Sequence, residues 1–468
     1  MQPEGGPAGG AAERPTSQTV LEAGSEYRFE VDWESPVTIQ LLRGRAEIAG
    51  QELIVKGTPA TEYTASETMM NMYLTLHMAI EQQRERAELN TGPPPRIMII
   101  GPSDAGKTTL CRILLNYAIK QSRFPTFVNL DPSQPSISLP GTIAATTLSR
   151  IVDYSESFDG TPVVTGQTPL VYFYGDTSIH EKPQLYRATV RSLAGALSRM
   201  SSENAHAGLV IDTPAKFMES AASESLMDAI HALDVNILVV MGQERLYSEL
   251  KRKLAPNEST SKSSAAAARK AKGAAAPPAS VTVLKMALSG ATVTREATAR
   301  QREADAAVRR YFYGTAANPL TPFTFTMNYK AMRVRLLGQG VQAPASAMPL
   351  GASVTEAEIE AIEMEPGAAL LHSVLAVSYA PLPQLSKPAV DVKGEPVKVE
   401  AETGSADDDD QTDALERLEV KNLLESNVAG FVYVADVNAK MDRVRLLAPH
   451  SGSLPGKYML MGSLQWVE

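Results

Sequence analysis

Apolar and polar positions change their spacing several times along the 468 residues, and each change predicts an element. Tyr27, Phe29 and Val31 alternate with Arg28, Glu30 and Asp32, the two-residue period of a half-buried strand. Val37 to Leu42 and Ala46 to Val55 flank Arg43-Gly44-Arg45, which predicts a hairpin and, with the first strand, a small β unit over 18–60. Ahead of it, residues 1–17 are rich in Gly, Ala and Pro and read as a disordered tail. Within 61–95 the spacing turns helical from Thr68 to Leu89, with Met72, Leu76, Ile80 and Gln83 on one face, until Pro93-Pro94-Pro95 stops it. This segment is predicted to be a linker helix.

From 96 to 326, short apolar runs alternate with helical segments: Ile97 to Ile100, Thr126 to Leu130, Gly208 to Ile211, Ile237 to Met241 and Val281 to Ala287. Strands apolar on both faces and separated by helices form a parallel sheet with right-handed crossovers, so their carboxyl ends share one edge. Residues 255–279 interrupt this unit with low-complexity sequence that is expected to be disordered. After them Val293 to Phe312 reads as a helix, with Arg295, Arg302 and Arg309 seven apart along one face. Between 327 and 468 the strand pattern returns in Met332 to Leu337, Leu370 to Tyr379, Gly430 to Asp436, Arg443 to Ala448 and Tyr458 to Trp466. Residues 381–415, which include the acidic run Asp407 to Asp410, look too polar to fold and are expected to be a surface loop. The predicted fold class is α/β: a parallel-sheet core between a small N-terminal β domain and a C-terminal, mainly β domain.

Composition narrows this picture modestly. A 44% hydrophobic content can build cores for about three domains at roughly 150 residues each. The net charge of −9 argues against a protein that coats nucleic acid without specificity. A single cysteine, Cys111, excludes an internal disulfide and a Cys-rich zinc site. The opening residues lack an apolar signal segment and no apolar run reaches spanning length, so neither secretion nor membrane insertion is expected.

The candidate chemistry lies in Arg96 to Cys111, RIMIIGPSDAGKTTLC: an apolar strand, a glycine-bounded loop and the first turn of a helix. This is the P-loop pattern. Gly101 and Gly106 remove side chains that would hold phosphate oxygens off the backbone, so successive N–H groups can converge at a helix N-terminus. Lys107 supplies a positive charge between β- and γ-phosphates, and Thr108 is placed to ligate Mg²⁺. Two acids end neighbouring strands at the same edge. Asp212 stands where a P-loop protein keeps the acid that holds Mg²⁺ through water, though an Asp before Thr213-Pro214 is also a good helix N-cap. Asp131 opens Asp-Pro-Ser-Gln-Pro, which is equally good turn chemistry. The arginines of the helix after the low-complexity segment could clamp a transferring phosphoryl group as a lid, or form a solvated basic face.

These pieces resemble a known family. GPSDAGKTTLCRILLNYA, FVNLDPSQPSISLPGTIAA, TPLVYFYG, VMGQERLYSELKR, the helix ending RRYFYG and LLESNVAGFVYVADV occur in the order found in the Clp subunit of the mRNA 3′-end cleavage and polyadenylation machinery. That family is related to polynucleotide 5′-hydroxyl kinases, and the likeness spans most of the chain. It implies a P-loop core that binds ATP and Mg²⁺, a nuclear location, and assembly with the Pcf scaffold protein and other cleavage-factor subunits, with pre-mRNA met indirectly. Carried over residue by residue, it places Asp104, Ala105, Gly106, Lys107, Thr108 and Thr109 on the phosphates and Glu26 near the adenine. Asp131 falls where active members keep the acid beside the attacking hydroxyl, and Arg295 and Arg300 match the lid arginines.

Three departures stand against a full kinase. Active members carry Cys-Gly-Trp after the second acidic strand, with the tryptophan at the RNA groove; this chain reads Asp212-Thr213-Pro214-Ala215-Lys216, with no aromatic before Phe217. Base stacking on such a ring is worth about 1–3 kcal/mol per base. Pro-Ser-Gln after Asp131 resembles the fungal members, and the N-terminal domain is shortened after Leu53, leaving Lys56 as a weak substitute for the base expected opposite Glu26. The expectation is an ATP-bound scaffold subunit, with an RNA 5′-hydroxyl kinase using Asp131 as base as the alternative. A signalling GTPase is disfavoured, because there is no Asn-Lys-x-Asp element and no glycine three residues after Asp212.

Overall fold

The computed structural model describes residues 18–30, 39, 41–43, 46–48, 51–52, 61–134, 136–152, 168–200, 204–255, 281–315, 318–339, 359–382, 408–452, 454 and 458–467. The tail 1–17, nearly all of 255–279 and half of Val37 to Leu42 lie outside them. Strand β1 (Glu26–Glu30) pairs antiparallel with a strand that starts the expected linker, so the linker's first residues belong to the N-terminal sheet. Between them in sequence, β2 (Glu47–Ile48) and β3 (Gln51–Glu52) pair with each other. The single strand predicted from Ala46 to Val55 is thus two short ones, and Gly50, a weak strand former, separates them in sequence. The partner of β1 is β4 (Thr61–Ala65), with Glu26 opposite Ala65.

Helix α1 (Met70–Glu88) follows, and its buried stripe is Tyr73, Leu76, His77, Ile80, Glu81 and Arg84. This stripe is rotated from the predicted one, leaving Met72 42% exposed. The cause is a charged contact that hydropathy does not register. Arg84, fully buried, donates from Nε to the Ala207 carbonyl at 3.0 Å and pairs with Glu81 at 3.2 Å. Glu81 also accepts from Arg123 at 2.7 Å, just past the helix that follows the P-loop, so one carboxylate fastens the linker to the core.

The central sheet has seven strands: β5 (Arg96–Ile100), β6 (Thr126–Asn129), β7 (Thr142–Thr147), β8 (Leu170–Phe173), β9 (Leu209–Asp212), β10 (Ile237–Met241) and β11 (Thr282–Met286). Their order is β11-β10-β5-β9-β6-β7-β8. The first five in that order pair parallel, as expected. The other two were not foreseen as strands, and β7 runs antiparallel to both β6 and β8, so the sheet is mixed. A parallel return usually runs through a helix; the described residues of the link from β6 to β7 form none, and the chain reverses. Helices α2 (Lys107–Lys120), α3 (Pro183–Arg199), α4 (Ser223–Ala232), α5 (Glu244–Lys253) and α6 (Ala297–Tyr313) follow β5, β8, β9, β10 and β11 respectively.

A second seven-stranded sheet comprises β12 (Phe323–Asn328), β13 (Arg333–Gln339), β14 (Ile359–Glu363), β15 (Val374–Ser378), β16 (Val428–Asn438), β17 (Arg443–Ala448) and β18 (Tyr458–Met461). The division expected after Thr326 cuts through β12, which pairs with β17. Helix α7 (Asp408–Glu425) occupies the end of the expected surface loop; its earlier part, 383–407, lies outside the described residues. Acids are favoured in a helix's first turn by the macrodipole. Further along α7, Leu423 is buried and Arg335 donates to Glu419 at 2.7 Å.

One apolar core fills both faces of the central sheet and continues onto one face of the second through Val374, Ala376, Tyr433, Tyr458 and Trp466. The opposite face of the second sheet buries Val334, Leu375, Val434 and Leu446. The seam is also hydrogen-bonded, with Val171 N–H donating to Asn427 Oδ1 at 2.6 Å and Ser463 N–H to Gly175 O at 2.7 Å. Among the described residues no helix is long and apolar enough to cross a membrane.

Removing one member of a buried ion pair typically costs 3–5 kcal/mol, so Arg84→Ala is expected to lower unfolding stability by about 3 kcal/mol. Arg84→Met, which keeps most of the volume, should lose less. Denaturant midpoints for the two variants check this, and a midpoint unmoved by Arg84→Ala would show that the buried charge does not fasten α1.

Candidate nucleotide site at the carboxyl edge of the central sheet

The site is assembled by strand register. Strand β5 lies between β10 and β9, with Ile99 opposite Asp212, while β6 on the far side of β9 sets Asn129 opposite the same residue. The P-loop leaving β5, the acid ending β9 and Asp131 just beyond β6 therefore emerge together. Gly101 is buried where β5 meets the end of β10: a Cβ there would lie 2.9 Å from that of Met241. Gly106 turns into α2 with φ of 82°, a left-handed conformation that costs glycine nothing. Asp104 is left-handed too, at φ 57°. Ala105 is buried beneath the loop, while Thr109 is exposed on the first turn of α2.

Inside this loop the Lys107 ammonium donates to the Pro102 carbonyl at 2.9 Å. Thr108 Oγ1 donates to Asp212 Oδ2 at 2.5 Å, joining the two groups that P-loop chemistry assigns to a divalent cation. Asp212 Oδ1 accepts the Thr213 N–H at 3.0 Å, and Thr213 Oγ1 donates back to Ile99 O at 2.6 Å. Thr213 was not singled out in the sequence; a hydroxyl residue directly after a strand-ending acid is the signal it offers. Burial pushes the Asp212 carboxyl up to about 6, against the opposing pull of Thr108 and Lys107. Asp131 is also raised by burial, and its Oδ1 accepts from the Ser133 N–H at 2.9 Å and the Ser133 hydroxyl at 2.6 Å. The turn and active-site readings of Asp131 are thus compatible: it makes the turn and sits buried at the edge with Asp212 and Lys107.

The basic helix differs from its predicted form. Helix α6 begins at Ala297, so Arg295 precedes it and cannot share a helical stripe with Arg302 and Arg309. The Arg295 guanidinium pairs with Glu303 at 2.9 Å, while its backbone N–H donates to Asp104 Oδ2 at 3.1 Å. Arg300 donates to the same Asp104 oxygen at 2.6 Å. At its other end α6 is set in rings: the Phe431 N–H donates to the Tyr311 hydroxyl at 2.8 Å, Phe312 stacks on Trp466 with centroids 6.0 Å apart, and Tyr433 meets Trp466 edge-on at 5.1 Å.

Glu26 lies on β1 of the two-stranded N-terminal sheet and pairs with Arg28 at 2.8 Å. Arg28 touches the turn after β11, since a Cβ on Gly290 would fall 3.0 Å from its Nη1; Thr292 of that turn lies 3.8 Å from where a Gly106 Cβ would be. This sheet thus reaches the P-loop through the turn, and the cation beside Glu26 is Arg28, on its own strand. Lys56 lies outside the described residues. Phe217, the one aromatic that could have replaced the absent tryptophan, is buried edge-on against Tyr186, 6.1 Å between centroids. Lys216 beside it donates to Ser178 at 2.6 Å. Burial of Phe217 removes it as a stacking surface.

A P-loop followed by α2, with the hydroxyl after the lysine bonded to a strand-ending acid, defines a P-loop protein of the α/β class. Three family descriptions match along the chain: the mRNA cleavage and polyadenylation factor CLP1 P-loop at residues 101–275, the pre-mRNA cleavage complex II protein Clp1 at 320–468, and the N-terminal beta-sandwich domain of polyadenylation factor at 20–58 and 54–87. A CLP1 homolog of Arabidopsis thaliana is 33% identical over 96% of this chain and 94% of its own length. Two proteins named polyribonucleotide 5′-hydroxyl-kinase Clp1 are each 30% identical: that of Danio rerio over 99% of this chain and 97% of its own, and that of Homo sapiens over 97% of each. The chain belongs to the Clp1 family of pre-mRNA cleavage complex proteins. A solved Clp1p–Pcf11p complex shares the fold, with a TM-score of 0.69 at 21% identity over 95% of this chain and 96% of that one.

Because the folded protein raises the Asp212 carboxyl, it takes up a proton that the unfolded chain would not hold between about pH 4 and 6. The buried charge therefore costs stability above about pH 6, and the cost vanishes as pH falls toward 4. In nucleotide-free, metal-free protein, Asp212→Asn should raise the melting temperature at pH 7.5 and lose that advantage by pH 4.5. Thermal scans across this range check the sign; an advantage that grows toward low pH would contradict it.

Proposed function

We propose that this chain is a nuclear, ATP-binding subunit of a pre-mRNA cleavage complex that acts mainly as a scaffold, with ATP and Mg²⁺ as structural ligands. The carrying observation is an asymmetry between the two sides of one edge. On the donor side, Gly101, Asp104, Ala105, Gly106, Lys107, Thr108 and Thr109 surround the place for phosphates, and Thr108 with Asp212 offers oxygen donors to Mg²⁺. Thr108 and Asp212 would hold Mg²⁺ there, and the ion would supply positive charge against the phosphates. On the acceptor side Phe217, the first aromatic after Asp212, is packed inside and offers no ring to an RNA end. Glu26, presented by β1, is the candidate for the adenine.

Partner binding supports the same reading. The Clp1p of the solved complex is held with Pcf11p, and a fold shared over nearly its whole length offers a Pcf11-like scaffold subunit the same frame here. The N-terminal β sheet, the P-loop core from 96 and the C-terminal sheet serve as the three domains of that frame.

The kinase reading keeps one specific support: a buried carboxyl with a raised pKa is what a general base for a 5′-hydroxyl needs, and Asp131 has it beside Lys107. Arg300, and Arg295 if its side chain turned from Glu303, would stabilise the transferring phosphoryl group. The vertebrate relatives bear the kinase name.

Purified protein should carry ATP and Mg²⁺, identified after denaturation. A ligand held only by the native state adds about 2.7 kcal/mol at a hundredfold excess over Kd, so ATP–Mg²⁺ should raise the melting temperature of the wild type and not of Lys107→Ala/Thr108→Ala. A melting temperature indifferent to ATP would remove the structural-ligand reading.

Little labelled γ-phosphate should reach a 5′-hydroxyl oligonucleotide, since phosphoryl transfer depends on positioning and a misplacement of about 1 Å can cost roughly 10²-fold. Robust labelling that both Asp131→Asn and Arg300→Ala abolish would replace the scaffold reading with the kinase one.

A further inference from the structure

A carboxylate is an odd residue to place in a phosphate cradle. Its oxygens only accept hydrogen bonds, and its charge repels the ligand the loop is built to hold. Asp104 nevertheless occupies the middle of the loop, in a left-handed backbone conformation, with a side chain only 11% exposed. What its carboxylate touches is the lid. A single oxygen, Oδ2, accepts from the Arg300 guanidinium at 2.6 Å and from the Arg295 backbone N–H at 3.1 Å. Arg300 Nη2 also donates to the Arg295 carbonyl at 3.3 Å, so the three residues close a small ring.

Helix α6 starts after Glu296, whose carboxylate caps no first-turn N–H and accepts only from the Thr298 hydroxyl at 3.3 Å. Asp104 brings further negative charge to this end from a distant part of the chain, where the helix dipole favours it, and accepts from the Arg295 N–H just ahead of the cap. The other end of α6 is fixed by Tyr311 and Phe312 in the ring cluster. With its far end held, the near end can lift from the P-loop only when the contacts with Asp104 open.

We propose that Asp104 is a latch, a carboxylate in the P-loop that holds the lid helix closed through Arg300 and the Arg295 N–H and so sets how long a bound nucleotide stays. This rests on the reading that the loop holds ATP, and it goes beyond it by naming what governs release. The latch also accounts for the odd carboxylate: Arg300 neutralises it, which removes its repulsion of phosphate for as long as the lid is shut.

The sign of one effect separates a latch from simple electrostatics. Removing a negative charge beside a triphosphate should by itself slow release. Breaking a latch should quicken it. Asparagine tolerates the left-handed conformation about as well as aspartate does, so Asp104→Asn keeps the backbone and changes only the charge. Protein loaded with labelled ATP and Mg²⁺ is chased with excess unlabelled ATP, and the release rate is read for wild type, Asp104→Asn, Arg300→Gln and the double variant. A charge-assisted hydrogen bond contributes enough that each single variant should release about tenfold faster. The double variant should be no faster than either single one, because both changes break one contact. Release from Asp104→Asn at or below the wild-type rate, or effects that multiply in the double variant, would overturn the latch. Wild-type protein that retains no labelled ATP would instead overturn the nucleotide reading beneath it, and the latch with it.

Discussion

The constraint on which the molecule depends is the in-register parallel pairing of β5, β9 and β6. Ile99, Asp212 and Asn129 lie level across three strands, so the P-loop, the acid after β9 and the acid just past β6 leave the sheet at one height. Parallel strands have this property because each crossover helix returns the chain to the same starting edge. Once the register is set, Thr108 meets Asp212 without adjustment, and Thr213 ties the end of β9 back to β5. A slip of one residue in either pairing would carry at least one of the acids out of register with the P-loop, since side chains alternate.

Such convergence has an electrostatic cost. Two carboxyls are buried within reach of one ammonium, and burial raises both of them. Positive charge brought to such a site would draw the carboxylates back to their ionised form. Local conflict of this kind is expected where a chain is shaped for a ligand.

The sequence disclosed whatever follows from local pattern. The P-loop is a contiguous motif, and the apolar runs of β5, β6, β9 and β10 are buried strands by composition alone. Strands β7 and β8 were missed because a mixed sheet depends on a connection's length and content as well as on hydropathy. The face of α1 was misjudged because a buried arginine looks polar until its partners are known. Helix α7 was taken for a loop because its acidic start outweighed the leucines behind it. The contacts of Asp104 and the packing of Phe217 join residues far apart in sequence, and a single sequence read by itself gives no sign of such pairs.

Helix α6 spans from the P-loop to the second large sheet. Its seventeen residues make a strut about 25 Å long, with the P-loop at one end and the rings of the C-terminal sheet at the other. A strut fixed at both ends transmits displacement either way. A ligand that prefers one attitude of the strut must therefore alter the affinity of anything that reads the opposite end, and by reciprocity the two alterations are equal in free energy. For a subunit that joins a larger assembly, this makes the order of events matter: a chain loaded before docking and one loaded after it reach the same state by different routes, and the slower exchange fixes which route is used.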